Sequence, residues 1–452
     1  MKKIIILFFA FSFIAAGQPL GDKTGFYDFG AKMNVDNVVI SDLPADSSSM
    51  IFVYKIPHSA LAFRKYNEFD DSKLVAFPKI TIEVRDTNNI IRRSAEINDT
   101  IFADHENTKN RDSAYFGIFR TRLKSGVYKA VFRLETQNNT LIQKADFSQV
   151  TLTNLNNAPS YGRPLMAFID ESESKQYQMY NLSGAVGFNS MRSFILIPCS
   201  FAENQSFFKY EIKPSKVVDP DRELVWMPQF TAKGEIEANS NEHFSISEEK
   251  DTKRRLIKIE QTPKSSSKLV RGLIHLELPF DQIVPGEYTL LLRNVSTKDS
   301  TELKFRIDWE NMPFALRKPD YAADMLYYIL TDQKYDEIKS GSKNNIFNNI
   351  VKYWRESDPT SGTNFNEAMN AYFQRVDFAS MNYNTFSEKD GARTDRGKVY
   401  ILYGTPTKVT QTTNGQKKFE IWEYRNLNKK ITFELLTNAI YKIIKEEALS
   451  AK

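Results

Sequence analysis

Among the charged side chains between positions 355 and 396, Arg355, Asp358, Glu367, Arg375, Asp395 and Arg396 form the constellation that could do chemistry. Two of the carboxylates Asp358, Glu367 and Asp395 could form an acid/base pair, with an arginine stabilising developing negative charge. That is the equipment of a hydrolase for glycan or peptide bonds. The same residues support an architectural reading. Arginine forks grip carboxylates bidentately and can lock helix ends to a loop. Glu367, three residues after Asn364, fits a capping box. Asp395 would anchor a turn before a strand, with Gly397 there for its backbone freedom. The architectural reading is preferred, because such networks often hold loops rather than react. It expects Asp395 or Arg396 to pair with Arg355, Arg375 or Glu367, and it assigns no catalytic residue. Trp354, Trp422 and Tyr424 could line a groove for an extended ligand, but rings on a helix face and a meander usually pack against each other. His58, His105, His243 and His275 are scattered, without the HxH or HExxH spacing of a metal site. No phosphate-cradling or dinucleotide-binding glycine pattern occurs, so neither a metal nor a cofactor is expected.

These side chains need elements to hold them. Pro313 and Pro319 bracket a linker. Helical spacing follows at Ala322, Met325, Leu326, Ile329 and Leu330, again at Ile346, Phe347, Ile350, Val351 and Trp354, and again at Met369, Tyr372, Phe373 and Val376. The second of these helices must stop before Asp358, because Pro359 pushes its predecessor out of the helical region. Residues 399–402 read as a strand, 403–406 as a turn, and Asn414-Gly415 as a hairpin, since both residues tolerate positive φ. Residues 419–425 and 431–435 supply two further strands. The expectation is an α+β module over 318–438, with about three helices and a small antiparallel meander, followed by a tail over 439–452.

Upstream the texture is β. Residues 50–56 are β-branched and aromatic up to Pro57, and 80–85 alternate apolar and polar as a strand with one wet face does. Two Ig-like β-sandwich modules are expected, over 22–156 and 160–310. Ser125-Gly126-Val127-Tyr128 and Pro285-Gly286-Glu287-Tyr288 each open a strand, a weak internal repeat. Residues 213–231 and 248–264 are polar enough to read as loops or edges. Cys199, the single cysteine, reads as a small buried hydrophobe in a strand.

The C-terminal module resembles the GWxTD-domain family of exported bacterial proteins. The matching stretches are Tyr353-Trp354-Arg355-Glu356-Ser357-Asp358-Pro359, Asn366-Glu367, and Gln374-Arg375-Val376. They continue through Gly391-Ala392-Arg393-Thr394-Asp395-Arg396-Gly397 with its following residues 398–401, Gly404-Thr405-Pro406, and Glu420-Ile421-Trp422-Glu423-Tyr424. Residues 56–63 and the strand at 80–85 also look like the family's β region. The motif that names the family departs here, because Ala392 replaces its tryptophan. The resemblance implies location and class rather than a reaction, with Trp354, Arg355, Asp358, Asn366, Glu367, Arg375, Thr394, Asp395, Arg396, Gly397, Gly404, Pro406, Trp422 and Tyr424 as its binding or structural residues.

Composition agrees with an ordinary globular chain of several cores: 452 residues, 41% hydrophobic and 26% charged. The N-terminus reads as a signal peptide over 1–17, with Lys2 and Lys3 before an apolar run and Ala15-Ala16-Gly17 before a cut near Gln18. The apolar run is too short to span a bilayer. Removing the two lysines takes the net charge from +5 to 5 − 2 = +3, too little for a nucleic-acid groove. The expected setting is the periplasm or another exported cell-envelope location, without a transmembrane segment after cleavage. The expected role is non-enzymatic docking or recognition of an envelope protein or glycan. A hydrolase and a carbohydrate-binding protein remain as alternatives.

Overall fold

The computed structural model describes residues 33–41, 47–67, 70–104, 108, 113–152, 155, 159–170, 176–215, 227–249, 254–262 and 269–449. The expected signal peptide and its cleavage point lie outside the described residues. The chain is mostly antiparallel β-sheet, with its α-helices clustered towards the C-terminus.

The strand Ser47–Pro57 pairs with Asn34–Ser41 on one side and Ala114–Lys124 on the other. Met50, Phe52, Tyr54 and Ile56 turn one way into a core shared with a second sheet, ordered Leu141–Leu152, Gly126–Glu135, Lys79–Asp86 and Ile91–Asn98. In Lys79–Asp86 the alternation read from the sequence holds: Ile80, Ile82 and Val84 are fully buried, while Lys79, Thr81 and Glu83 face partly outward. Ile51 and Val53 turn the opposite way, into a separate core with Leu165, Phe194, Leu196, Phe244 and Leu273 of the next β body. Ser47–Pro57 is therefore apolar on both faces, which is why it reads as a continuous hydrophobic run rather than an alternation. A smaller sheet of Arg64–Asn67, Asp70–Ala76 and Ile101–Ala103 flanks this body.

The second body has one sheet built around Arg192–Ala202 and Leu269–Glu277, and another around Gly286–Asn294, Ser300–Asp308 and Phe207–Pro214. Cys199 is buried in Arg192–Ala202, its Sγ 3.5 Å from the Gly272 carbonyl, and burial raises its thiol pKa. The polar stretch 248–264 is not simply a loop: it contains the strand Arg254–Gln261, paired with Glu242–Glu249. The repeat read from the sequence has a structural counterpart. Gly126 and Gly286 share a φ of 157°, and the hydroxyls of Tyr128 and Tyr288 each donate to the carbonyl four residues upstream, Lys124 and Val284.

From residue 314 to 403 the chain is mainly helical. Helices α1 (Pro319–Leu326), α2 (Asp332–Lys339), α3 (Lys343–Arg355), α4 (Glu367–Asn382) and α5 (Asp395–Tyr403) precede a sheet ordered Lys408–Asn414, Lys417–Tyr424, Lys429–Leu435 and Tyr441–Ala448. Three expectations are corrected. There are five α-helices among the described residues, not about three. Residues 399–402 belong to α5, not to a strand. Residues 439–452 are not simply a tail, since Tyr441–Ala448 completes the sheet. The helices share one continuous core with the second β body: Trp309 contacts Phe188 and Phe365 edge-on, and its Nε1 donates to Asn370 Oδ1 at 3.2 Å.

Candidate functional site

The segment 390–397 sets the geometry around α5. Thr394 caps this helix: its Oγ1 accepts from the Gly397 amide at 3.1 Å and donates to the Gly391 carbonyl at 2.8 Å. The chain can fold back so tightly because both glycines lack a side chain. A Cβ on Gly397 would stand 1.9 Å from the Gly391 carbonyl oxygen, and one on Gly391 would stand 2.2 Å from that of Ala379 on α4. Ala392 between them is fully buried; Asp390 Oδ1 accepts from its amide and its carbonyl accepts from the Tyr328 hydroxyl. The position that departs from the family motif therefore faces the interior.

Asp395 opens α5. Its carboxylate accepts from the Ile443 amide at 3.0 Å and pairs with Lys442 at 3.3 Å, both on Tyr441–Ala448. Arg396 reaches Glu420 at 3.5 Å, and its guanidinium lies between the rings of Tyr441 and Tyr383, at 3.8 and 5.3 Å. Glu420 is 6% exposed and also accepts from Trp422 Nε1 at 2.9 Å. The anticipated partners, Arg355, Arg375 and Glu367, are not among those of Asp395 or Arg396. The architectural expectation thus has the right residue pair and the wrong counterparts: the loop is tied mainly to the C-terminal sheet.

A second group forms between α3 and α4. Asp358 Oδ1 accepts from the Thr360 amide at 3.0 Å, and the Thr360 hydroxyl donates to the Glu367 carboxylate. Asn366, not Asn364, caps α4, accepting from the Met369 amide at 2.8 Å, and its Nδ2 holds the Trp354 carbonyl at the end of α3 at 2.7 Å. Asn364 instead donates to the carbonyls of Asp281 and Ile283 in the β body. Arg355 is exposed at the end of α3. Arg375 lies against Gly404, where an added Cβ would be 3.3 Å from its Cζ. Gly404 ends α5 at a φ of 75° and accepts from the Tyr424 hydroxyl at 3.1 Å; Pro406 follows as the chain turns into the sheet. Trp354, Trp422 and Tyr424 are 7, 2 and 1% exposed, so they are core rings rather than a groove lining.

Sequence reasoning missed three groups. Glu420 shares one strand face with Trp422 and Tyr424, and that period-2 placement was its signal. Asp377 sits on the apolar face of α4, four residues after Phe373. It is 4% exposed and accepts from the amides of Phe314 and Ala315, at 2.6 and 3.0 Å, where the β body hands over to the helices. A lone carboxylate on an apolar helix face was the signal there. Third, Asp324 on α1 binds Lys339, Tyr335 and Arg393, at 2.8, 3.0 and 3.3 Å. Burial pushes its carboxyl up, but hydrogen bonds led by that of Lys339 outweigh this and hold it below its usual range.

Chemically, the arrangement neutralises and positions. Asp358 and Glu367 meet around Thr360, while the Asp395 carboxylate is bonded to Tyr441–Ala448. Residues 288–447 match the family model described as the GWxTD domain. The match begins inside Gly286–Asn294, so it takes in the last two strands of the second β body. No curated protein matches the chain.

Proposed function

The chain belongs to the GWxTD domain family, and on that footing we propose that it is an exported, non-enzymatic cell-envelope protein with a docking or recognition role. The observation that carries this reading is the state of the candidate carboxylates. Asp358 sits in a turn, Glu367 is bonded to a threonine, and Asp395 is fastened to a backbone amide and a lysine. Each is spent on holding the chain, which leaves the hydrolase alternative without a free acid/base pair. Carbohydrate binding through Trp354, Trp422 and Tyr424 loses support because those rings are buried.

The two β bodies are taken as Ig-like sandwiches. The paired Tyr128 and Tyr288 hydrogen bonds support this, since a tyrosine tied back to upstream backbone is a recurring corner of such folds. Export rests on the charged start, short apolar run and small residues before Gln18. No helix among the described residues is long and apolar enough to cross a membrane.

Crosslinking in the native cell, with the crosslinked species identified by mass spectrometry, tests the role. An envelope protein or glycan joined to residues 288–447 is the expected result. Turnover of glycan or peptide substrates by the purified chain, abolished by Glu367→Gln without loss of stability, would overturn it.

A further inference from the structure

The first β body carries a groove of about 230 Å³ that none of the C-terminal residues touches. Leu61 and Phe77 form apolar parts of its wall, and Arg64, Glu135, Gln137 and Asn138 bring polar groups to it. The walls are preset. Lys79 stands opposite Glu135 in the backbone ladder of Lys79–Asp86 and Gly126–Glu135, and the Thr81 hydroxyl donates to one Glu135 oxygen at 3.1 Å. The tip of the turn is closed by the Asn139 amide on the Thr136 carbonyl at 3.0 Å, and the Lys79 ammonium grips Asn139 Oδ1 at 3.0 Å. Arg64 stands 4.8 Å over the Phe77 ring and has no carboxylate partner among the described residues.

The volume falls below the roughly 300–1,000 Å³ of sites for drug-sized ligands, which suits a single ring rather than a bulky molecule. A guanidinium and a carboxylate together disfavour a ligand of either charge. Two primary amides beside them supply both donors and acceptors. Hydroxyl groups, which donate and accept alike, match that mixture. A second observation lies on the same small sheet. Tyr66, two residues after Arg64, packs edge-on against Phe102 at 5.2 Å, and these rings are 59 and 56% exposed. Two water-exposed rings on the sheet that carries Arg64 offer the apolar face that the C–H side of a sugar ring covers.

We infer that this groove binds a neutral saccharide, with Arg64, Glu135, Gln137 and Asn138 addressing hydroxyls and the Tyr66–Phe102 pair stacking on an adjoining sugar. The inference is independent of the role proposed for residues 288–447.

Affinity electrophoresis of the full mature chain tests it, in native gels cast with glucomannan, xylan, dextran or hydroxyethyl cellulose, and with polygalacturonate as the acidic control. At least one neutral polysaccharide should retard the wild type. Glu135→Gln with Asn138→Ala should weaken that retardation about tenfold, as the loss of a hydrogen bond to a charged group does. Tyr66→Ala should weaken it separately. Asn138 and Tyr66 are exposed, and unchanged melting temperatures would establish that these variants are folded. Retardation by none of the neutral polymers, retardation by polygalacturonate alone, or retardation untouched in every variant would overturn the inference.

Discussion

The guanidinium of Arg396 lies 3.8 Å from the centroid of the Tyr441 ring, so the second residue of α5 is clamped by the first residue of the last strand. The same guanidinium neutralises Glu420, whose side chain is 8% exposed. Arg396→Ala leaves that carboxylate buried with Trp422 Nε1 and Gln411 as its hydrogen-bond donors. The expected loss approaches the roughly 3–5 kcal/mol of a broken buried pair. Tyr441→Ala removes only the ring and should cost about 1–2 kcal/mol. Urea unfolding of both variants checks the order; equal losses would show that the ring, not the charge, dominates.

Asp395→Ala should destabilise by less. Its ion pair with Lys442 is partly exposed, with side chains 27 and 56% accessible, so the pair contributes about 1 kcal/mol or less. The Ile443 amide and the start of α5 also lose an acceptor. A small drop in melting temperature is expected. An unchanged or higher melting temperature would contradict the anchoring role.

Asp36 joins the two β bodies and should make their stability depend on pH. The strand Asn34–Ser41 carries its carboxylate to the backbone amides of Ser183 and Gly184. Burial pushes this carboxyl up to about 6 from 3.8, against the pull of those amides and of the Arg163 and Arg306 charges. The folded state thus keeps a proton that the unfolded chain releases. The stabilisation from protonated Asp36 is fully present below pH 3.8 and is lost as pH rises through about 6. The shift corresponds to about 3 kcal/mol. Chemical denaturation of wild type and Asp36→Asn at several pH values isolates this term: the difference between them should change across that window and be flat above it.

Gly397→Ala should be among the most disruptive small substitutions, because the added carbon would meet the Gly391 backbone at 1.9 Å. Ala392→Trp, which restores the family's residue, should also destabilise, by about 1–3 kcal/mol, since the position is fully buried. A stabilising Ala392→Trp would reveal unfilled space at that point.

The β character of the first two bodies was legible wherever one face is wet, as at Ile80, Ile82 and Val84. The run Val399-Tyr400-Ile401-Leu402 misled because four apolar residues have no period, and β-branched and aromatic types favour a strand. Thr394, three residues before Gly397, is the local evidence for a helix start there, where Asp395 alone suggests a turn before a strand. The cap of α4 slipped by two residues for a related reason: Asn364 and Asn366 are both competent, and Asn366 caps α4 while holding the Trp354 carbonyl. Pairings such as Arg396 with Glu420 depend on which strand returns beside α5, a long-range matter that side-chain types do not disclose.

Ser47–Pro57 has an additional consequence. Because Met50 and Phe52 are locked into one core, and Ile51 and Val53 into the next, this strand acts as a rivet through two layers. The second β body, which holds that next core, shares a further core with the helices through Trp309, and Asp377 ties down the hand-over at Phe314 and Ala315. Among the described residues, a tug between the first β body and the helices is transmitted through shared packing. The molecule should therefore behave mechanically as a stiff strut, and not as beads on a string.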